Sequence, residues 1–262
     1  PDILNPVIYS NQKLLYDTLY HAASATIQEL TSDPKHLGAS VGYICILHTW
    51  GSEMNFHPHI HMILLRRWTD TKNEWKIMVR SFFSLYGLSP KYFVGNIWMN
   101  WKISGITDQL EFHGTAEKYR NHYAFKELID FCYDAEWIPY CKKTFNGAQS
   151  VIDYLGKYTH RIAISNHRII HMDDENVTFS VKDYRKEGQW KELTISGIEF
   201  YTAFSDACAP PDVLSGSGIM DFYVPAANTK NSLYAGIFSD AKNIFQSSGI
   251  RKCRKYWNSY TG

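Results

Sequence analysis

The chain has no paired-cysteine motif, no long apolar run and no marked excess of either charge. Its five cysteines (Cys45, Cys132, Cys141, Cys208 and Cys253) are odd in number and scattered, and no C-x-x-C occurs. This argues against a disulfide framework and a cysteine zinc site, and points to a reducing, cytoplasmic setting. No stretch reaches the roughly 20 apolar residues that a membrane helix needs, so no membrane partner is expected. No secretory signal pattern is present, and a start at Pro1 rather than Met leads us to expect a fragment. Internal repeats and low-complexity linkers are absent. The net charge of +1 and pI of about 8.0 are modest for a chain that binds nucleic acid.

What is present is ordinary globular material: 45% hydrophobic and 20% charged residues in a chain of 262, enough for one large domain or two small ones. Residues 11–31 carry Leu14, Leu15, Leu19, Ala22, Ala23 and Ile27 on a helical period, and Asp33-Pro34 ends that helix. Residues 41–49 read as a buried strand, 50–53 as a turn and 59–65 as the returning strand of a long-looped hairpin. Helices are expected over 123–133 and 147–158, and strands over 137–142, 161–171, 177–184 and 191–195, with a turn at Asp173-Asp174-Glu175-Asn176. Without strict βαβ alternation the class is α+β, a central antiparallel β-sheet flanked by helices.

Two segments carry chemistry. In His57-Pro58-His59-Ile60-His61-Met62 the strand period puts His59 and His61 on one face, where two imidazoles can share a divalent cation. Mg²⁺ or Mn²⁺, with open positions for phosphate oxygens, suits a phosphodiester substrate. His57, His160 and Glu53 are the candidates for a third ligand. In Tyr154-Leu155-Gly156-Lys157-Tyr158 a helix would stack the two phenols one turn apart. Lys157, His160, Arg161 and Arg168 surround them and could hold phosphates. Taken singly, each pattern has an ordinary explanation: a polar strand face, a core aromatic stripe, a solvated basic face. Together they suggest attack of a phenolate on a metal-polarised phosphodiester. A phenol ionises near pH 10, far below a sugar alcohol, so it serves as both nucleophile and leaving group.

The same residues resemble a family. Leu47-His48-Thr49-Trp50-Gly51 with His57-Pro58-His59-Ile60-His61 looks like the first catalytic block of the HUH tyrosine transposases, in the rolling-circle insertion-sequence group that includes ISCR elements. The segment from Tyr154 to Asn166 resembles their tyrosine block, and Val177-Thr178-Phe179 with Lys182-Asp183-Tyr184 the hairpin after it. The resemblance implies an HUH endonuclease (ferredoxin-like) core and a metal-dependent enzyme that nicks and rejoins single-stranded DNA through a 5′-phosphotyrosine. Its partner would be single-stranded DNA at transposon ends, in a bacterial cytoplasm beside the nucleoid. By position, His59 and His61 would be metal ligands, Tyr154 and Tyr158 nucleophiles, and Lys157, Arg161 and Arg168 DNA-binding residues. Alternatives of other classes are a catalytically inactive DNA-binding remnant of a damaged transposase gene, and a histidine-metal hydrolase unrelated to DNA.

The family's cysteine-rich, zinc-binding N-terminal region has no counterpart here, and two windows depart from its pattern. Residues 84–105 should form a basic amphipathic helix, and an arginine-rich segment should follow Phe204, where Ser205-Asp206-Ala207-Cys208-Ala209-Pro210-Pro211 stands instead. With suitable synonymous codons, a one-base shift restores basic segments in both places. We therefore expect a catalytic domain over 1–204, frameshifted at 84–105, and an out-of-frame, poorly packed segment over 205–262. Sequencing the coding DNA tests this: the expected result is a single-base change that restores each segment, and its absence would refute the shift.

Overall fold

The computed structural model describes residues 1–35, 37–64, 67–69, 75–77, 90–103, 106–135, 137, 150–151, 154, 164–183, 188–207, 220–223 and 254–255. Helices α1 (Asn5–Ser10) and α2 (Gln12–Ser32) lead into the antiparallel hairpin β1 (Tyr43–Trp50) and β2 (Phe56–Leu64). Short strands β3 (Arg67–Thr69) and β4 (Trp75–Ile77) pair with each other. Helices α3 (Pro90–Ile103), α4 (Ile106–Gln109) and α5 (His122–Asp134) follow. A three-stranded antiparallel sheet comes next, β5 (Ile169–Met172), β6 (Asn176–Asp183) and β7 (Gln189–Ser196), and then helix α6 (Gly197–Ala207). Strands β8 (Met220–Tyr223) and β9 (Arg254–Lys255) complete the first sheet in the order β2-β1-β8-β9. The protein is α+β, with sheets flanked by helices.

Helix α2 is the hub because two of its faces are apolar. One face, with Tyr16, Tyr20 and Ile27, packs on Tyr43, Cys45 and Leu47 of β1 and on Ile60, Met62 and Leu64 of β2. The other, with Leu15 and Ala22, packs on Val94, Ile97, Trp98 and Trp101 of α3 and on Leu128 and Cys132 of α5. Its buried threonines are satisfied locally: Thr18, Thr26 and Thr31 donate to the carbonyls of Leu14, Ala22 and Ile27. Beyond the β1–β8 pairing, which ends at Ile46 and Met220, the Leu47 N–H donates to the Tyr20 hydroxyl at 3.1 Å. Asn121 caps α5 by accepting from the N–H groups of Tyr123 and Ala124. Ser196 and Glu199 form a reciprocal capping box at the start of α6.

Several expectations meet differences. The strand expected over 161–171 is described from residue 164 on, and there β5 begins at Ile169. Asn166–Arg168 is a 3-10 turn, closed by the Arg168 N–H donating to the Ser165 carbonyl at 2.8 Å. Of the strand expected over 137–142 only Trp137 is described; it is irregular, and its indole donates to the Cys132 carbonyl. The helix expected over 147–158 is described only at Ser150, Val151 and Tyr154, all three helical. The window 84–105 contributes α3, which fills the core. Yet the indole N–H groups of Trp98 and Trp101 are buried and have no hydrogen-bond partner among the described residues, a cost of about 1–3 kcal/mol for each unmet donor. Beyond residue 204, the described parts are the end of α6, β8 and β9.

Candidate metal and nucleophile site

The pairing of β1 with β2 builds the site. Alternation along β1 turns Tyr43, Cys45 and Leu47 toward α2, and so Ile44, Ile46 and His48 toward the opposite face. The register sets His48 opposite His59 and Ile46 opposite His61. Three imidazoles therefore meet on one face, with a ligand nitrogen from each of His48, His59 and His61 within 4.8 Å of the others. The Nε2 atoms of His59 and His61 are 3.0 Å apart. Two nitrogens at about 2.1 Å from one cation and at right angles would stand at about that separation, so the pair suits adjacent positions of a six-coordinate ion. His59 Nδ1–H donates to the His57 carbonyl at 2.7 Å, which fixes that ring and leaves Nε2 as the nitrogen with the lone pair. The His48 ring is 4.2 Å from that of His61, centroid to centroid, and stacks on Trp50 at 5.4 Å and 9°.

The hydroxyl of Tyr154 lies 2.8 Å from His61 Nδ1. The Tyr154 side chain thus reaches the sheet face that carries the imidazoles. With His61 Nε2 turned to His59 and Nδ1 to Tyr154, one ring bridges the imidazole pair and the phenol.

Burial keeps all three imidazoles neutral, the form that binds metals. Burial first, and the neighbouring His61 and His59 next, lower the His48 pKa to about 2. Burial and then His59 lower that of His61 to about 4. Burial also lowers that of His59, against the pull of the His57 carbonyl. Below pH 6.5 the unfolded chain takes up protons that the folded site refuses, so stability is full above that pH and falls as pH falls. His48 alone should cost about 2 kcal/mol between pH 7 and pH 5. Urea unfolding of the metal-free protein at both values measures it, and an unchanged midpoint would contradict this picture.

The other sequence-derived residues stand as follows. His57 lies beside the cluster, its ring 5.2 Å from that of His59 and its Nδ1 3.8 Å from Asp2 Oδ1, with both side chains exposed. Glu53 sits in the β1–β2 turn, its Oε1 2.7 Å from Lys191 Nζ. Arg168 is half-buried, and its guanidinium donates to the main-chain carbonyls of Ser52 and Ser180. Tyr158, Lys157, His160 and Arg161 lie outside the described residues. His48 is the member of the imidazole cluster that sequence reasoning misses. Inside an apolar run it reads as a core histidine. The signal that finds it is hairpin register: His48 and His59 stand at nearly equal distances from the turn.

An α+β protein with three imidazoles clustered on a sheet and a tyrosine hydroxyl against one of them is the class that fold and site define. Comparison with known proteins agrees: a family model described as "Putative transposase" matches residues 42–213, well over half of the chain. The chain belongs to that family. It is 31% identical over 205 residues to "Putative transposase y4qJ" of Sinorhizobium fredii (strain NBRC 101917 / NGR234), an alignment covering 78% of this chain and 52% of that protein. It is 28% identical over 196 residues to "Transposase for insertion sequence element IS801" of Pseudomonas savastanoi pv. phaseolicola, covering 73% and 45%. The chain thus spans about half the length of the curated relatives it matches. No solved structure matches it. Among the described residues, no helix is long and apolar enough to cross a membrane.

Proposed function

We propose that this chain is the catalytic part of a transposase that nicks and rejoins single-stranded DNA through a 5′-phosphotyrosine, as in rolling-circle transposition. The observation that carries the reading is the 2.8 Å contact between the Tyr154 hydroxyl and an imidazole of the three-histidine cluster. His48, His59 and His61 would hold the divalent cation. A bound cation supplies Lewis acidity to a non-bridging phosphate oxygen and orients the scissile phosphate. If His61 ligates through Nε2, its proton would sit on Nδ1, from which it would donate a hydrogen bond to the Tyr154 oxygen and stabilise negative charge there. The Tyr154 phenol would give up its proton to solvent as its oxygen bonds to phosphorus, the P–O3′ bond would break, and the leaving 3′ oxygen would take up a proton from solvent to become a 3′-OH. A second 3′-OH then attacks the phosphotyrosine, the new P–O3′ bond forms, and the tyrosine is released. Tyr158 would serve as the second nucleophile, and Lys157 and Arg161 would hold phosphates of the strand.

Three neutral imidazoles, with no carboxylate in the cluster among the described residues, suit Mn²⁺ better than Mg²⁺, which prefers oxygen. The test is incubation with labelled single-stranded DNA carrying an element end. A covalent protein–DNA adduct should form, and Mn²⁺ should support it at concentrations about 10-fold or more below Mg²⁺. Retention of DNA without an adduct would instead mark an inactive remnant of a transposase. Metal-dependent hydrolysis indifferent to both tyrosines would mark a hydrolase.

A further inference from the structure

The turn between the two histidine strands is held from outside its own hairpin. Arg168 Nη2 donates to the Ser52 carbonyl at 2.6 Å, and its Nε donates to the Ser180 carbonyl of β6 at 2.8 Å. The Lys182 N–H donates to Ser52 Oγ at 2.7 Å, and Lys191 Nζ meets Glu53 Oε1 at 2.7 Å. Met54 adopts a left-handed φ of 65° and is buried with Ile164, Val177, Phe179 and Val181. A non-glycine residue keeps that backbone only where its surroundings over-determine it. Trp50 packs against the same cluster and stacks on His48, and the β1–β2 ladder shifts register between these two residues. Ile164 and Arg168 belong to the stretch that follows Tyr154 in the chain. One anchorage therefore joins the tyrosine segment to the turn that sets His48.

We infer that Arg168 is a positioning residue, which locks the β1–β2 turn against the β5–β7 sheet and so sets the His48 ring relative to His59, His61 and Tyr154. The inference rests on the metal and nucleophile reading above and assigns Arg168 to geometry instead of to a DNA phosphate. Only a guanidinium can serve both carbonyls at once, because its N–H donors leave one rigid plane in fixed directions. A lysine ammonium keeps the charge but not the fork.

The full chain is compared with Arg168→Lys and Arg168→Gln by three measurements: amide hydrogen exchange of residues 51–55 without metal, affinity for Co²⁺ as a spectroscopic probe of the imidazoles, and affinity for single-stranded DNA as a function of salt. In Arg168→Lys the turn should exchange about 10-fold faster or more, and Co²⁺ should bind about 10- to 100-fold more weakly, as when support behind a ligand is lost. DNA affinity and its salt dependence should stay within about 2-fold, since the charge is kept. Arg168→Gln should loosen the turn likewise and leave the salt slope unchanged. Normal turn exchange and Co²⁺ affinity in Arg168→Lys would overturn the proposal. So would a salt slope reduced by about one ion in Arg168→Gln, which marks a phosphate contact. If Arg168→Gln fails to fold, Arg168→Lys alone decides. A wild type that forms no DNA adduct, while Arg168→Lys still loosens turn and cluster, would refute the transposase reading and leave the positioning role standing. If the wild type takes up no Co²⁺, the metal reading fails and turn exchange alone decides.

Discussion

Tyr154→Phe is expected to abolish the covalent adduct with single-stranded DNA, a loss of about 10³-fold or more in rate, because the phenol held against the imidazole cluster loses its nucleophilic oxygen. The fold should survive. Tyr154 is half-buried, and the substitution removes one hydroxyl whose described partner is His61 Nδ1. Cation affinity should change little, since the ligating nitrogens are untouched. Trapping on denaturing gels, with peptide mapping of the residual adduct, separates the two phenols. An adduct of normal yield on Tyr158 in this variant would show that the Tyr154–His61 contact is not the reactive pair. Single-turnover trapping of Tyr158→Phe then reports which phenol acts in the first strand cleavage.

The second large effect is expected from His48→Ala. Loss of a neighbour that merely orients a ligand commonly costs 10- to 100-fold in metal affinity, so loss of a ligand should cost about 100-fold or more. Calorimetric titration with Mn²⁺ measures it. The same variant carries a second signature that a simple packing defect would lack. His48 refuses protons throughout this range, so its removal should take about 2 kcal/mol out of the acid-side loss of stability between pH 7 and pH 5. Weak Mn²⁺ binding with an unchanged acid limb would mean that His48 is not the group refusing protons. Unchanged Mn²⁺ binding would remove it from the ligand set.

Much of this arrangement is legible in the sequence, and the reasons lie with particular residues. Helix α2 is legible because its apolar residues repeat on a helical period, and the hairpin because apolar strands flank a polar turn. His59 and His61 share a face through strand alternation alone. Tyr154 is legible by its spacing from Tyr158 and by its basic neighbours, though only the packed chain shows it meeting His61. His48 is hidden for a physical reason: a histidine in an apolar run is chemically ambiguous until the partner strand fixes what stands opposite. The late start of the strand expected over 161–171 is hidden likewise, because Arg168 stands outside the ladder and bonds carbonyls of two other segments. Helix α3 lies in the window where a shifted frame is expected, and its buried indoles give the core volume at the cost of two unmet donors. Strand β8 lies beyond the family-matched region and pairs with β1, a connection that no local pattern announces.

That last pairing governs how the molecule is made. The strand bearing His48 cannot gain its second neighbour until the ribosome has delivered residue 223, so this sheet closes late and through a contact remote in sequence, the slow kind of folding step. Any truncation before residue 220 would leave those main-chain N–H and C=O groups of 43–46 that face β8 as a bare edge, a template for adhesion between copies. Expression of shortened versions should therefore keep Met220–Tyr223, even where the tail itself looks dispensable.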